Sequence, residues 1–146
     1  MTVGIIGLGL IGGSLAKAYR RDESITVLGM DADHSILEFA QLAEAIHGPL
    51  TDENLKTVDL LLLATYPEAV VEHMERLAPL LDKHTMVIDC AGAKARVCEG
   101  AFPLAEKYGF RFLGGHPMAG THHSGFKYSR ADLFDGAPMV IVPPNF

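Results

Sequence analysis

Three glycines, one aspartate and one histidine carry the chemistry this sequence could do. Gly7, Gly9 and Gly12 stand in G-x-G-x-x-G spacing within Thr2-Val-Gly-Ile-Ile-Gly-Leu-Gly-Leu-Ile-Gly-Gly-Ser14. In that spacing Gly7 permits a tight turn, Gly9 lets a pyrophosphate approach the backbone, and Gly12 lets a helix pack closely on a strand. A helix opening there offers free N–H groups and a partial positive charge to phosphates. Asp31 follows at about the twenty-residue distance at which an acid meets the ribose of a dinucleotide. Glycines also cluster in ordinary turns. The strand before, the helix after and the acid ending a second strand favour the dinucleotide. The residues expected at the cofactor are Gly7, Leu8, Gly9, Leu10, Ile11, Gly12, Asp31 and Thr65.

Asp31 chooses between the two nicotinamide cofactors. Its carboxylate can accept hydrogen bonds from ribose hydroxyls, and its charge, with that of Asp33, repels a 2′-phosphate. No arginine follows the strand to offset this; Arg20 and Arg21 precede it. The expected cofactor is NAD rather than NADP. A cap on the following helix is the other role open to Asp31.

The second chemical stretch is Gly114-Gly-His-Pro-Met-Ala-Gly-Thr-His-His-Ser-Gly125, with three of the seven histidines. A histidine beside a nicotinamide can take a proton while a carbinol carbon gives up hydride, because imidazole titrates near operating pH. His116 is the candidate, at the carboxyl end of a strand and stiffened by Pro117. An isolated histidine of this kind is more often a satisfied loop residue; its place in a nucleotide fold reverses the odds. His116, His122 and His123 lack metal-ligand spacing and a paired acid, so no metal is expected. His122 and His123 read as surface or substrate-edge groups.

These groups need a frame, and the apolar pattern supplies one. Val3, Ile5 and Ile6 form a buried strand, and Leu10, Ile11, Leu15, Ala16 and Tyr19 share a helix face. Ile25 to Met30 is a second strand, and Asp33 to Ala45 a second helix. Thr51 to Leu55 is a capped turn. Asp59 to Thr65 is a continuous apolar strand, and Pro67 opens a helix ending near Pro79 to Leu81. Thr85 to Asp89, Phe110 to Leu113 and Ala137 to Val142 are further strands. Cys90 to Lys94 is a small-residue turn, and Ala95 to Tyr108 a helix. Such alternation predicts an α/β, Rossmann-type, doubly wound parallel sheet with helices on both faces. Ligands then bind beyond the carboxyl ends of the strands.

Composition agrees with one domain spanning residues 1–146. Hydrophobic residues make up 49 % and charged residues 21 %, enough for a sizeable core. The formal net charge of −6 disfavours nucleic acid. No apolar run is long enough to cross a membrane, and no signal peptide is expected. Cys90 and Cys98 are too few for a disulfide framework, so a cytoplasmic setting is expected.

The sequence resembles the prephenate dehydrogenases. The resemblance rests on Gly114 to Gly120, Thr121, Ser124-Gly125, Ser129 to Gly136, Gly7 to Ser14, and Asp89 to Lys94. It covers essentially the whole chain, and its His-Pro-Met-Ala-Gly segment is far more specific than the glycine turn. It implies NAD-dependent oxidative decarboxylation of prephenate to 4-hydroxyphenylpyruvate in tyrosine biosynthesis, or the same reaction on arogenate. His116 would be catalytic, and His116, Thr121, Ser124 and Lys94 would meet the small-molecule substrate. For Lys94 two roles stay open: charge for a substrate carboxylate, or the start of the next helix.

Two departures from the family pattern stand out. Family members carry a serine in the turn after the fourth strand, and Gly92 stands in its place here. Ser124, Thr121 or a water could replace that hydroxyl. The family also continues into a helical domain that forms the homodimer and supplies an arginine to the substrate; the sequence ends at Phe146, before such a domain. The isolated domain is then expected to be weakly active or inactive. A related hydroxyacid or imine reductase, or a non-catalytic NAD-binding module, are the alternatives.

Overall fold

The computed structural model describes residues 1–144. Seven strands form one sheet in the order β3-β2-β1-β4-β5-β6-β7. They are β1 (Thr2–Ile6), β2 (Thr26–Met30), β3 (Gly48–Pro49), β4 (Leu60–Leu63), β5 (Met86–Asp89), β6 (Arg111–Pro117) and β7 (Met139–Val142). The helices are α1 (Leu10–Tyr19), α2 (His34–Leu42), α3 (Pro67–Leu77) and α4 (Lys94–Tyr108). β1 through β6 pair in parallel, as the strand–helix alternation predicts.

Two strands depart from that expectation. β3 is two residues long, too short to leave a periodic pattern, and adds an edge beside β2. β7 pairs antiparallel to β6. Between them runs 118–138, whose only helical piece is a single 3-10 turn at Phe126–Tyr128. A parallel return needs a crossover, usually helical, and none is here to carry the chain back across the sheet.

The central strands are apolar on both faces because helices cover both. Leu61 and Leu63 join one core with Val70, Met74 and Val97, while Val3, Ile5 and Leu62 join another with Ala16 and Ala40. Burial on both faces is the reason the run Leu60–Leu63 shows no alternation. The chain winds one way from β1 to β3 and the other way from β4 to β6. β1 and β4 therefore meet at the topological switch point, beyond whose carboxyl ends a crevice opens. No helix of the described residues is long and apolar enough to cross a membrane.

The opposite end of the sheet carries a small charge cluster. His84 Nδ1 lies 2.7 Å from Asp82 Oδ1, and its Nε2 lies 3.2 Å from Asp59 Oδ1. Asp59 Oδ2 accepts the Thr2 N–H at 2.7 Å. The hydrogen bond that His84 donates to Asp82, with the charges of both aspartates, raises the imidazole above its ordinary value. The folded state then binds the proton more tightly than the unfolded chain. This contribution is complete below about pH 6.5, the unfolded histidine value, and fades as pH rises through the folded one. The melting-temperature difference between wild type and His84→Gln is expected at pH 5.5 and should vanish by pH 9; a difference independent of pH would refute it.

Candidate functional site

The turn after β1 is shaped by backbone contacts. Gly7 has φ +93°, and its N–H donates to Met30 O at 2.8 Å. A side chain there would meet Ala64 O at 2.5 Å. Gly12 is tighter still: a Cβ would fall 1.7 Å from Gly7 O. Gly9 differs, with open space where its Cβ would be. It stands at the start of α1, and no side chain caps that helix. The orphan N–H groups of the first turn are thus left to a ligand or water.

A cleft of about 370 Å³ opens on this turn. Gly7, Gly9, Leu10, Ile11, Asp31 and Thr65 line it, together with Ser124 from the β6–β7 connection. Leu8 and Gly12 build the cleft rather than line it. Leu8 is fully buried, and its N–H donates to Asp31 Oδ2 at 2.8 Å. Asp31 Oδ1 accepts the Asp33 N–H at 2.9 Å. The cap of α2 is Asp33, which accepts from Ser35 N, so Asp31 is not the helix cap. Thr65 Oγ1 is buried and has no hydrogen-bond partner. A buried hydroxyl left unpaired is costly, and this one belongs to a residue lining the cleft. The open face at Gly9, the uncapped helix and the orphaned hydroxyl fit a bound dinucleotide.

Sequence reasoning did not single out Tyr66, Cys90 and Gly125, which also line the cleft. Their signal was position, since Cys90 directly follows β5 and Tyr66 lies three residues past β4, at strand ends facing the crevice. Tyr66 is 83 % exposed on the rim. Cys90 is buried, and burial, with the Asp89 charge, pushes its thiol up to about 12. It stays protonated and is a poor nucleophile.

His116 lies within β6 rather than in a loop beyond it, paired with Val140 of β7. The pairing with β7 extends the strand through a Gly-Gly-His-Pro run that reads as loop. His116 is not among the cleft-lining residues. Its ring faces the turn after β5: a Cβ on Gly92 would lie 3.7 Å from both Cε1 and Nε2. Gly92 is two residues from Cys90, which does line the cleft. A serine in place of Gly92 would thus sit against the imidazole.

The other predicted substrate residues are not gathered at one point. Ser124 is at the cleft. Thr121 is exposed and closes a local turn, accepting from His123 N and donating to His123 O, both at 3.1 Å. Lys94 is ion-paired with buried Asp89. No cluster of three or more His, Cys, Asp or Glu side chains among the described residues could hold a metal. A larger apolar cavity, about 650 Å³ between α4 and β6, shares no residue with the cleft.

The β6–β7 connection is strapped back onto α1. Phe126 and Ser129 lie against Gly13, where a Cβ would come within 2.8 Å of Phe126 Cδ2 and 2.9 Å of Ser129 Cβ. Ser14 Oγ accepts the Arg130 N–H at 3.0 Å, and Lys17 Nζ donates to Ser129 O at 2.8 Å. The strap holds Ser124 and Gly125 over the glycine turn.

Comparison with known proteins agrees with this geometry. The family model described as "Prephenate dehydrogenase, nucleotide-binding domain" matches residues 15–145. A prephenate dehydrogenase from Lactococcus lactis is 30 % identical over 141 residues, covering 94 % of this chain and 40 % of that protein. The crystal structure of Synechocystis arogenate dehydrogenase superposes with a TM-score of 0.91 at 32 % identity, over 100 % of this chain and 51 % of that one. Prephenate dehydrogenase from A. aeolicus, solved with hydroxyphenyl propionate and NAD+, gives a TM-score of 0.87 at 28 % identity, over 99 % and 51 %. The chain therefore spans about two fifths of the Lactococcus protein and half of these solved chains.

Proposed function

The chain belongs to the family of prephenate dehydrogenase nucleotide-binding domains, and from this premise we propose that it binds NAD and presents His116 for oxidative decarboxylation of prephenate to 4-hydroxyphenylpyruvate. The observation that carries the reading is the juxtaposition at the switch point. A cleft with an open Gly9 and an orphaned Thr65 hydroxyl is lined by Cys90, and Gly92, two residues on, faces the His116 imidazole.

The first turn of α1 and the Gly9 backbone receive the pyrophosphate, and Thr65 Oγ1 gains its missing partner. Asp31 accepts from the ribose hydroxyls while holding the Leu8 N–H. NAD, when bound, supplies the hydride acceptor. His116 takes the proton of the substrate ring hydroxyl as the same carbon loses hydride. The ring carboxylate then leaves as CO2, driven by aromatisation. Ser124 contacts the substrate from the strap, and Thr121 closes the turn that presents it. Lys94 acts mainly by neutralising Asp89. The remainder of the substrate pocket, and any dimer contact, belong to the part of the relatives' length that this chain does not match.

Arogenate is the second reading, favoured by the likeness to the Synechocystis enzyme. The two share the ring chemistry and differ in product. The enzyme that carries this domain, given NAD and prephenate, should release CO2 with 4-hydroxyphenylpyruvate; tyrosine from arogenate alone would select the second reading. NADH formation from neither substrate would refute both. NAD should be preferred over NADP by at least about tenfold in kcat/KM, or ~1.4 kcal/mol. Like charges about 4 Å apart near a surface cost ~4 kcal/mol, which leaves room for screening. Equal kcat/KM for the two cofactors would remove Asp31 from this role.

A further inference from the structure

The ladder between β5 and β6 ends at the Ile88–Leu113 pair. β6 continues from Gly114 to Pro117, held on its outer side by β7. On its inner side β5 has run out, and the Asp89 side chain takes over. Asp89 Oδ1 accepts the Gly115 N–H at 3.0 Å. Its Oδ2 accepts the Ala91 N–H at 3.2 Å and is ion-paired with Lys94 Nζ.

The carboxylate is wholly buried and the Lys94 side chain is only 16 % exposed. A buried carboxylate persists when it is paired and hydrogen-bonded, and three donors meet this one. Lys94 is the first residue of α4, where the helix dipole disfavours a cation. Its placement answers to Asp89 rather than to the helix.

Two structures that fix the His116 ring hang from this one carboxylate. Gly115 immediately precedes His116 on the strand, and Ala91 belongs to the turn whose Gly92 faces the imidazole. We propose that Asp89, paired with Lys94, is the positioning residue of His116. It sets both the strand that carries the ring and the turn that the ring faces. The catalytic consequence rests on the function proposed above; the tether itself does not.

Nuclear magnetic resonance on the 146-residue chain separates the two. Asp89→Asn leaves one amide oxygen to serve three donors. The Gly115 amide should lose solvent-exchange protection by about tenfold or more, the range of a charge-assisted hydrogen bond. The His116 imidazole resonances should move with it. Affinity for NAD should stay within about twofold, as for independent sites, because Gly9, Asp31 and Thr65 are untouched. In the active enzyme the same substitution should lower kcat and leave the KM for NAD unchanged, a split that general loss of fold would not give. A folded Asp89→Asn chain with unmoved Gly115 and His116 resonances overturns the proposal. Should that variant fail to fold, the wild type decides: a scalar coupling across the hydrogen bond from the Gly115 nitrogen to the Asp89 carboxyl carbon is expected, and its absence overturns the tether. Moved resonances where neither prephenate nor arogenate is converted support the tether and refute the function alone.

Discussion

In an enzyme carrying His116→Asn, kcat is expected to fall about 10²–10⁴-fold, the range of a lost general acid–base group, while affinity for NAD holds. Asparagine keeps a polar side chain of similar reach but cannot take the substrate proton. The separation of effects follows from the architecture. His116 is held in the β6–β7 pairing, faces Gly92 and does not line the cleft, whereas the groups assigned to NAD sit in the turns after β1, β2 and β4. Turnover and NAD binding are therefore read from different residues. Steady-state kinetics beside calorimetric titration of NAD would check it, and near-normal kcat would refute the role given to His116.

The second large effect contrasts two glycines three residues apart. Gly12→Ala should unfold or severely destabilise the domain, because its Cβ would fall 1.7 Å from Gly7 O, a backbone atom unable to swing aside. Overpacking in cores costs ~1–3 kcal/mol, and a backbone clash belongs at the upper end or beyond. Gly9→Ala should leave the melting temperature within a degree or two of wild type, since open space surrounds that position, and yet weaken NAD binding. Its new methyl would stand where the pyrophosphate must approach. Thermal melts with and without NAD test both substitutions together. If Gly9→Ala binds NAD as well as wild type, the phosphates do not lie over this turn.

Much of this arrangement was legible in the residues. The first strand, the glycine turn and α1 announce themselves through spacing, because the constraint on each glycine is local. The parallel sense of β1, β2, β4, β5 and β6 follows from apolar runs alternating with amphipathic segments. Three features were hidden, each for a physical reason. β3 is held by the edge of β2 and has no pattern of its own. The strand character of Gly114–Pro117 comes from β7, far along the chain, and overrides two glycines and a proline. The partner of Lys94 was hidden because Asp89 ends an apolar strand, and nothing local shows that its side chain turns inward. The antiparallel sense of β7 went against the expected all-parallel sheet, because no α-helix between Met118 and Pro138 carries the chain back for a parallel return.

The strap over α1 bears on how this motif travels between proteins. Gly13 lies next to the phosphate-binding spacing but is kept small by Phe126 and Ser129. A graft of the first thirty residues onto another scaffold would carry a notch with nothing to fill it. Residues 124–135 would have to be transplanted as well, and libraries that vary this nucleotide loop should mutate the two segments jointly.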